Sequence, residues 1–218
     1  MRQGDVVKAL LDSCGRTFAQ EADIRLRNTP QPLYQLLVLS LLLSARIRSS
    51  TAIAAARALN DAGMRDPRRM AAATWQERVD ALGRGGYRRY DERTATQLGE
   101  GAEMVAREWR GDLRRMRAEA GGDTEALRRL LQRVPGIGPT GADIFLREAQ
   151  DVWPEVAPHL DEKALEGARR LGLPAAPDAL ARLAGDAGTA AFAAALVRAA
   201  LDKRVADEVG RAADADAE

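Results

Sequence analysis

Apolar residues along this chain recur at three- and four-residue spacing almost throughout, and no stretch alternates as a strand would. Val6-Val7 and Leu10-Leu11 mark a first helix, and the pattern loosens through Gly15 and Arg27-Asn28-Thr29-Pro30. Thr29 before Pro30 predicts an N-cap for a helix over 33–45, apolar enough to be buried on most sides. Alanine-rich 49–59 predicts the next helix, closed by Asn60-Asp61-Ala62-Gly63. Asp66-Pro67 opens a short helix, Thr74 caps another over 75–82, and 83–87 reads as a flexible loop before a helix over 91–107. Asp123 and Thr124 both suit the start of a helix over 125–133, and Pro139 suits the first position of one over 139–150. After an irregular stretch, Asp161 opens a helix ending near Gly172, and two more follow over 177–184 and 189–209. The fold class is all-α.

Composition narrows the chemistry. A formal net charge of +1 does not by itself indicate nucleic acid, but arginines cluster at 46–48, 84–93 and 107–117. The acidic end, 212–218, reads as a disordered tail. One cysteine, Cys14, excludes a disulfide framework and a four-cysteine iron–sulfur cluster, and one histidine, His159, argues against a protein-built zinc site. Nothing resembles a signal peptide, and the apolar run 33–45 is too short and interrupted to span a membrane, so the expected compartment is the cytoplasm, in association with the nucleoid.

The stretch Val134-Pro135-Gly136-Ile137-Gly138-Pro139-Thr140-Gly141-Ala142-Asp143 carries the strongest chemical signal. One helix ends, two glycines flank an apolar residue, and a second helix starts at once. The new helix leaves unpaired backbone N–H groups at its N-terminus, a seat for a DNA phosphate. A plain turn between core helices would use glycine in the same way. Downstream, Asp161 stands at a helix start, where the helix dipole favours a carboxylate, although an ordinary N-cap is the commoner fate of such a residue.

Together with Leu160-Asp161-Glu162-Lys163-Ala164-Leu165, Arg170-Leu171-Gly172-Leu173, Pro32-Leu33-Tyr34-Gln35-Leu36-Leu37 and Leu42-Leu43-Ser44-Ala45-Arg46, this hairpin resembles the helix–hairpin–helix DNA glycosylase superfamily of endonuclease III. The resemblance covers about residues 30–173. It implies a two-lobed helical body with the active site in the cleft between lobes. Residues 31–150 would form a six-helix lobe carrying the hairpin (124–150). Residues 1–30 with 151–211 would form the second lobe. It implies Asp161 as the catalytic carboxylate, Arg46 as the wedge that fills the gap left by a flipped base, and DNA contacts from Gly136, Gly138, Thr140, Gly141, Arg48 and Arg88. Tyr34 would face the base pocket; Trp153, in the loop before Asp161, could place an aromatic near the flipped base or equally pack in the core or between lobes. The backbone carbonyls of Gln132, Val134 and Ile137 would hold a structural Na⁺ or K⁺.

Three departures modify those implications. Bifunctional relatives place a lysine nucleophile where this chain has Thr140, and a hydroxyl cannot form the Schiff base that leads to strand cleavage. The chain is therefore expected to hydrolyse the N-glycosidic bond and stop there, with weak or no lyase action. The iron–sulfur cysteines are missing, so no such cluster is expected, and apolar packing by Phe192, Leu196, Val197 and Leu201 should hold the second lobe. The loop before Asp161 is longer than in the family. Lys163 could substitute as an amine, though a surface lysine is the simpler reading, and His159 could touch a phosphate or tune Asp161.

In the loop 84–93, arginine and tyrosine interleaved with glycine suit a DNA backbone and stacking on exposed bases. The expected partner is double-stranded DNA with a lesion or mismatch, bound by a monomer. The sequence does not choose among oxidised pyrimidines, alkylated purines and mismatched adenine or thymine, although an aromatic content of 4% gives little support for an aromatic cage around a cationic alkylbase. The alternative is a non-catalytic helix–hairpin–helix protein that recognises distorted DNA.

Overall fold

The computed structural model describes residues 2–215, and every regular element among them is helical. Two compact units share the chain: Ala19–Leu146 forms one, and the described residues up to Phe18 together with those from Arg147 onward form the other. The boundaries fall after Phe18 and Leu146, against the expected 30 and 150.

In the central unit, α2 (Phe18–Glu21, its first residue in the other unit) leads to α3 (Pro30–Leu43), which is buried on every side over the unbroken run 36–42. Its buried Ser40 donates from Oγ to the Leu36 carbonyl at 2.8 Å, so this hydroxyl is paired in its apolar setting. The unit also holds α4 (Ser49–Asp61), α5 (Pro67–Ala72), α6 (Trp75–Arg84), α7 (Asp91–Trp109), α8 (Leu113–Glu119), α9 (Thr124–Gln132) and α10 (Pro139–Ala149) as far as Leu146; from Arg147 on, α10 belongs to the other unit. α3 packs on α4 and α8, and α7 packs on α5 and α6. The starts of these helices follow from local chemistry. Asp66 accepts the Arg69 N–H, Thr74 and Glu77 form a reciprocal capping box, and Asp123 accepts the N–H groups of Glu125 and Ala126.

In the other unit, α1 (Gln3–Cys14), α11 (Glu162–Arg170), α12 (Pro177–Ala184) and α14 (Lys203–Ala215) gather around α13 (Thr189–Leu201). α13 is buried on all sides, and α11 approaches so closely at Gly167 that a Cβ there would overlap the Leu196 carbonyl. Phe192, Leu196 and Val197 lie in this core, whereas Leu201, expected with them, is 63% exposed. The single helix expected over 189–209 is broken at Asp202, whose extended backbone ends α13 and whose side chain accepts the Arg204 N–H at 2.9 Å to open α14. The expected acidic tail is corrected for 212–215: α14 continues through Ala215 with Ala213 buried, and 216–218 lie outside the described residues. No single described helix is long and apolar enough to cross a membrane.

Candidate nucleic-acid interface

The hairpin is built by α9 and α10. Leu127 and Leu131 on the first arm, Val134 and Ile137 in the turn and Ala142 on the second arm are buried, which fixes the turn against the core. Gly136 has φ +87°, and a Cβ there would meet Leu41 Cδ1 at 2.6 Å, so this position requires glycine both for its backbone and for its space. The Ile137 N–H donates to the Val134 carbonyl at 3.0 Å and closes the turn. Arg128 and Asp143 then tie the two arms by a bidentate ion pair, Nε to Oδ1 at 2.7 Å and Nη2 to Oδ2 at 3.0 Å. That brace lies across the predicted motif and joins residues fifteen apart, a spacing with no periodic signal in the sequence.

Gly138, Pro139 and Thr140 are exposed at the start of α10. Among the described residues, the N–H groups of Gly138, Thr140 and Gly141 donate to no backbone carbonyl, as the first turn of a helix requires. Thr140 presents a hydroxyl at this open end and no amine.

Beside the turn is a groove of about 290 Å³, where Gly136 meets Leu41, Ser44, Arg46, Tyr90 and Arg93. Three segments far apart in sequence therefore share one surface: the end of α3 with the Ser44-Ala45-Arg46 loop, the arginine-rich loop with the start of α7, and the hairpin. No carboxylate lines the groove, and its two guanidinium groups give it a positive field suited to an anion. Ser44 Oγ donates to the Leu41 carbonyl at 2.7 Å and fixes the loop that carries Arg46. Arg46, Arg48 and Arg88 are exposed, and none of them forms an ion pair among the described residues.

The arginine-rich loop is only partly the flexible element expected. Gly83 and Arg84 belong to α6, and Tyr87 is buried with its hydroxyl 3.2 Å from Thr94 Oγ1. Burial pushes the Tyr87 phenol above the usual tyrosine range, an effect the Thr94 contact partly opposes. Tyr90, with the Arg89 guanidinium 5.2 Å from its ring centroid, is the aromatic that remains at the groove.

Asp161 lies in the other unit and caps α11: its Oδ1 accepts the Ala164 N–H at 2.9 Å. Its Oδ2 accepts Nη1 of Arg147, and the two side chains are 10% and 3% exposed. The Arg147 guanidinium also stands 5.8 Å from the ring centroid of Phe18. Sequence reasoning missed Arg147, although a signal existed. A charged residue follows Ile144-Phe145-Leu146 on the face of α10 that must be buried, and a buried charge needs a partner. Lys163 is paired with Glu166 at 2.5 Å, and the His159 backbone is bound through both N–H and carbonyl to Gln150.

The base-pocket assignment of Tyr34 is corrected, and of the two roles open to Trp153 the core one holds. Trp153 is 0% and Tyr34 2% exposed; each is a core side chain that offers no face to a base. Tyr34 packs among Leu37, Val38, Val134 and Ile137 beneath the hairpin, and Trp153 is held where α10 ends. Burial raises the Tyr34 phenol far above the ordinary range.

No family model matches this sequence, and no curated protein matches it. Among solved structures, the chain is similar to a trapped endonuclease III–DNA covalent intermediate in an estranged-adenine complex, at 16% identity and a TM-score of 0.49, over 90% of this chain and 85% of that one.

Proposed function

We propose that the protein binds double-stranded DNA holding a damaged or mispaired base and removes that base by hydrolysis, without cutting the strand. The observation that carries this reading is the groove in which the hairpin, Arg46 and the arginine-rich loop converge with no opposing carboxylate. A phosphate would sit on the free N–H groups of Gly138, Thr140 and Gly141, and Arg48 and Arg88 would follow the backbone. Arg46 would enter the stack as the base leaves it, since a planar guanidinium can stack and donate to the orphaned base.

The chemistry is assigned to Asp161. As the bond from C1′ to the base nitrogen breaks, its electron pair leaves with the base and positive charge grows on the sugar. A fixed carboxylate stabilises that charge and orients the water whose oxygen bonds to C1′. The proton released by the water passes through solvent, and the departing base takes one up. Thr140 has no amine to attack C1′, so the product is an abasic site.

The carbonyls of Gln132, Val134 and Ile137 suit a monovalent cation. Among the described residues those of Gln132 and Ile137 accept no backbone hydrogen bond, and that of Val134 accepts one. A bound Na⁺ or K⁺ would add positive charge beside the phosphate seat.

Incubation of lesion- and mismatch-bearing duplexes with the protein, followed by hot alkali to cut abasic sites, tests the reading. Base release that disappears in Asp161→Asn supports it, and no Asp161-dependent release across a broad panel sinks it.

A second reading, a non-catalytic binder of distorted DNA, is favoured by one observation. Both oxygens of Asp161 are already engaged, one by a buried guanidinium that offsets its charge. Equal DNA binding by Asp161→Asn and the native protein, with no base released by either, would select it.

A further inference from the structure

Two buried polar side chains, Arg147 in the last turn of α10 and Gln150 just after it, converge on the segment that presents Asp161. Arg147 binds the carboxylate itself, through Nη1 to Oδ2. Gln150, buried like Arg147, holds the backbone two residues earlier. Its Oε1 accepts the His159 N–H at 2.9 Å, and its Nε2 donates to the His159 carbonyl at 3.1 Å and to the Arg147 carbonyl at 2.9 Å. One side chain thus fixes the approach to Asp161 and joins it to the arginine that grips the carboxylate.

Burying an arginine and an amide is costly, and well-packed apolar side chains often fill such space at no loss of stability. What the polar pair provides here is orientation. With Oδ1 on the Ala164 N–H and Oδ2 on Arg147, the carboxylate plane is fixed, and each oxygen keeps a second lone pair for another partner.

We propose that Arg147 and Gln150 are positioning residues for Asp161 in base removal, acting on the orientation of its carboxylate without touching DNA. This rests on the hydrolytic reading above. Misplacement of a reacting group by about 1 Å can reduce a rate about 100-fold. Loss of either side chain should therefore lower the rate of base release while DNA affinity is kept, because both groups are shielded from solvent.

The test uses the full-length protein, a duplex from which it releases a base, and the variants Arg147→Met, Arg147→Lys and Gln150→Met. Single-turnover base release, the Kd for the same duplex and the thermal unfolding midpoint are measured together, all well below the midpoint. Arg147→Met and Gln150→Met should lower the single-turnover rate about 10- to 100-fold with Kd unchanged, and Arg147→Lys should recover part of the loss. Rates equal to native, even with lowered midpoints, would make both residues merely structural and overturn the proposal. A rise in Kd that accounts for the lost activity would overturn it too. Should Arg147→Met fail to fold, Arg147→Lys and Gln150→Met decide. If the native protein releases no base from any duplex, the hydrolytic reading falls and takes this proposal with it. If the native protein is active and the variants match it, only the positioning role falls.

Discussion

Alanine at Gly136 should break the hairpin, whereas alanine at Gly138 should leave its fold intact. Gly136 has φ +87°, and an added Cβ would lie 2.6 Å from Leu41 Cδ1 and 3.2 Å from Gln97 Cβ. Left-handed backbone costs a side chain about 1–2 kcal/mol, and one extra carbon in a filled core costs about 1–3 kcal/mol. The expected loss is therefore about 2–5 kcal/mol. Leu41 Cδ1 is a rotatable end and can yield; the Gln97 Cβ sits on the α7 backbone and cannot. At Gly138 no heavy atom stands within 4 Å of an added Cβ, so Gly138→Ala should stay within about 0.5 kcal/mol of native. Urea denaturation followed by circular dichroism gives both values. Equal stability of the two variants, or a Gly136→Ala loss under about 0.5 kcal/mol, would refute the argument that this turn demands glycine at its first position.

Other expectations follow from the same geometry. Arg48→Ala and Arg88→Ala should each weaken DNA binding and reduce the slope of log K against log salt by about 0.9 per lost phosphate contact, read by fluorescence anisotropy across a salt series; an unchanged slope would remove that residue from the interface. Borohydride added during reaction should trap no protein–DNA adduct in the native protein, since Thr140 carries no amine, and a trapped species would show that another amine attacks C1′. Burial raises the Tyr34 and Tyr87 phenols. The folded chain then keeps protons that the unfolded chain releases above about pH 10, so stability present below that pH is lost as pH rises. Tyr34→Phe should flatten this alkaline limb by about 1.4 kcal/mol per pH unit, measured by urea denaturation at several pH values, and an unaltered limb would contradict the burial argument.

The parts of this molecule legible in the sequence are those fixed by neighbours along the chain. The buried α3, the caps at Asp66, Thr74, Asp123 and Asp161, and the hairpin turn are all set within a few residues of one another. What was misread depended on partners distant in sequence or space. Arg147 finds Asp161 fourteen residues further on, and Arg128 finds Asp143 fifteen residues on. Such pairs leave no periodic trace. Tyr34 suits a base pocket by resemblance and Trp153 suits either a pocket or the core, but both are buried core side chains. Tyr87 lay among glycines and arginines, so its burial against Thr94 could not be inferred from composition. The break at Asp202 was readable, since an aspartate followed two residues later by a basic side chain suits a new helix start, but the continuing alanine pattern hid it.

The account stands most directly on base release by the native protein and by Asp161→Asn from the same panel of lesion and mismatch duplexes, at matched DNA occupancy. Alkali-labile sites produced by the native protein and lost by about 100-fold or more in the variant, with DNA affinity retained, are the predicted result. Alkali-labile sites from neither protein, despite equal binding by both, would contradict it and leave a DNA-binding protein whose Asp161 serves only Arg147 and the start of α11.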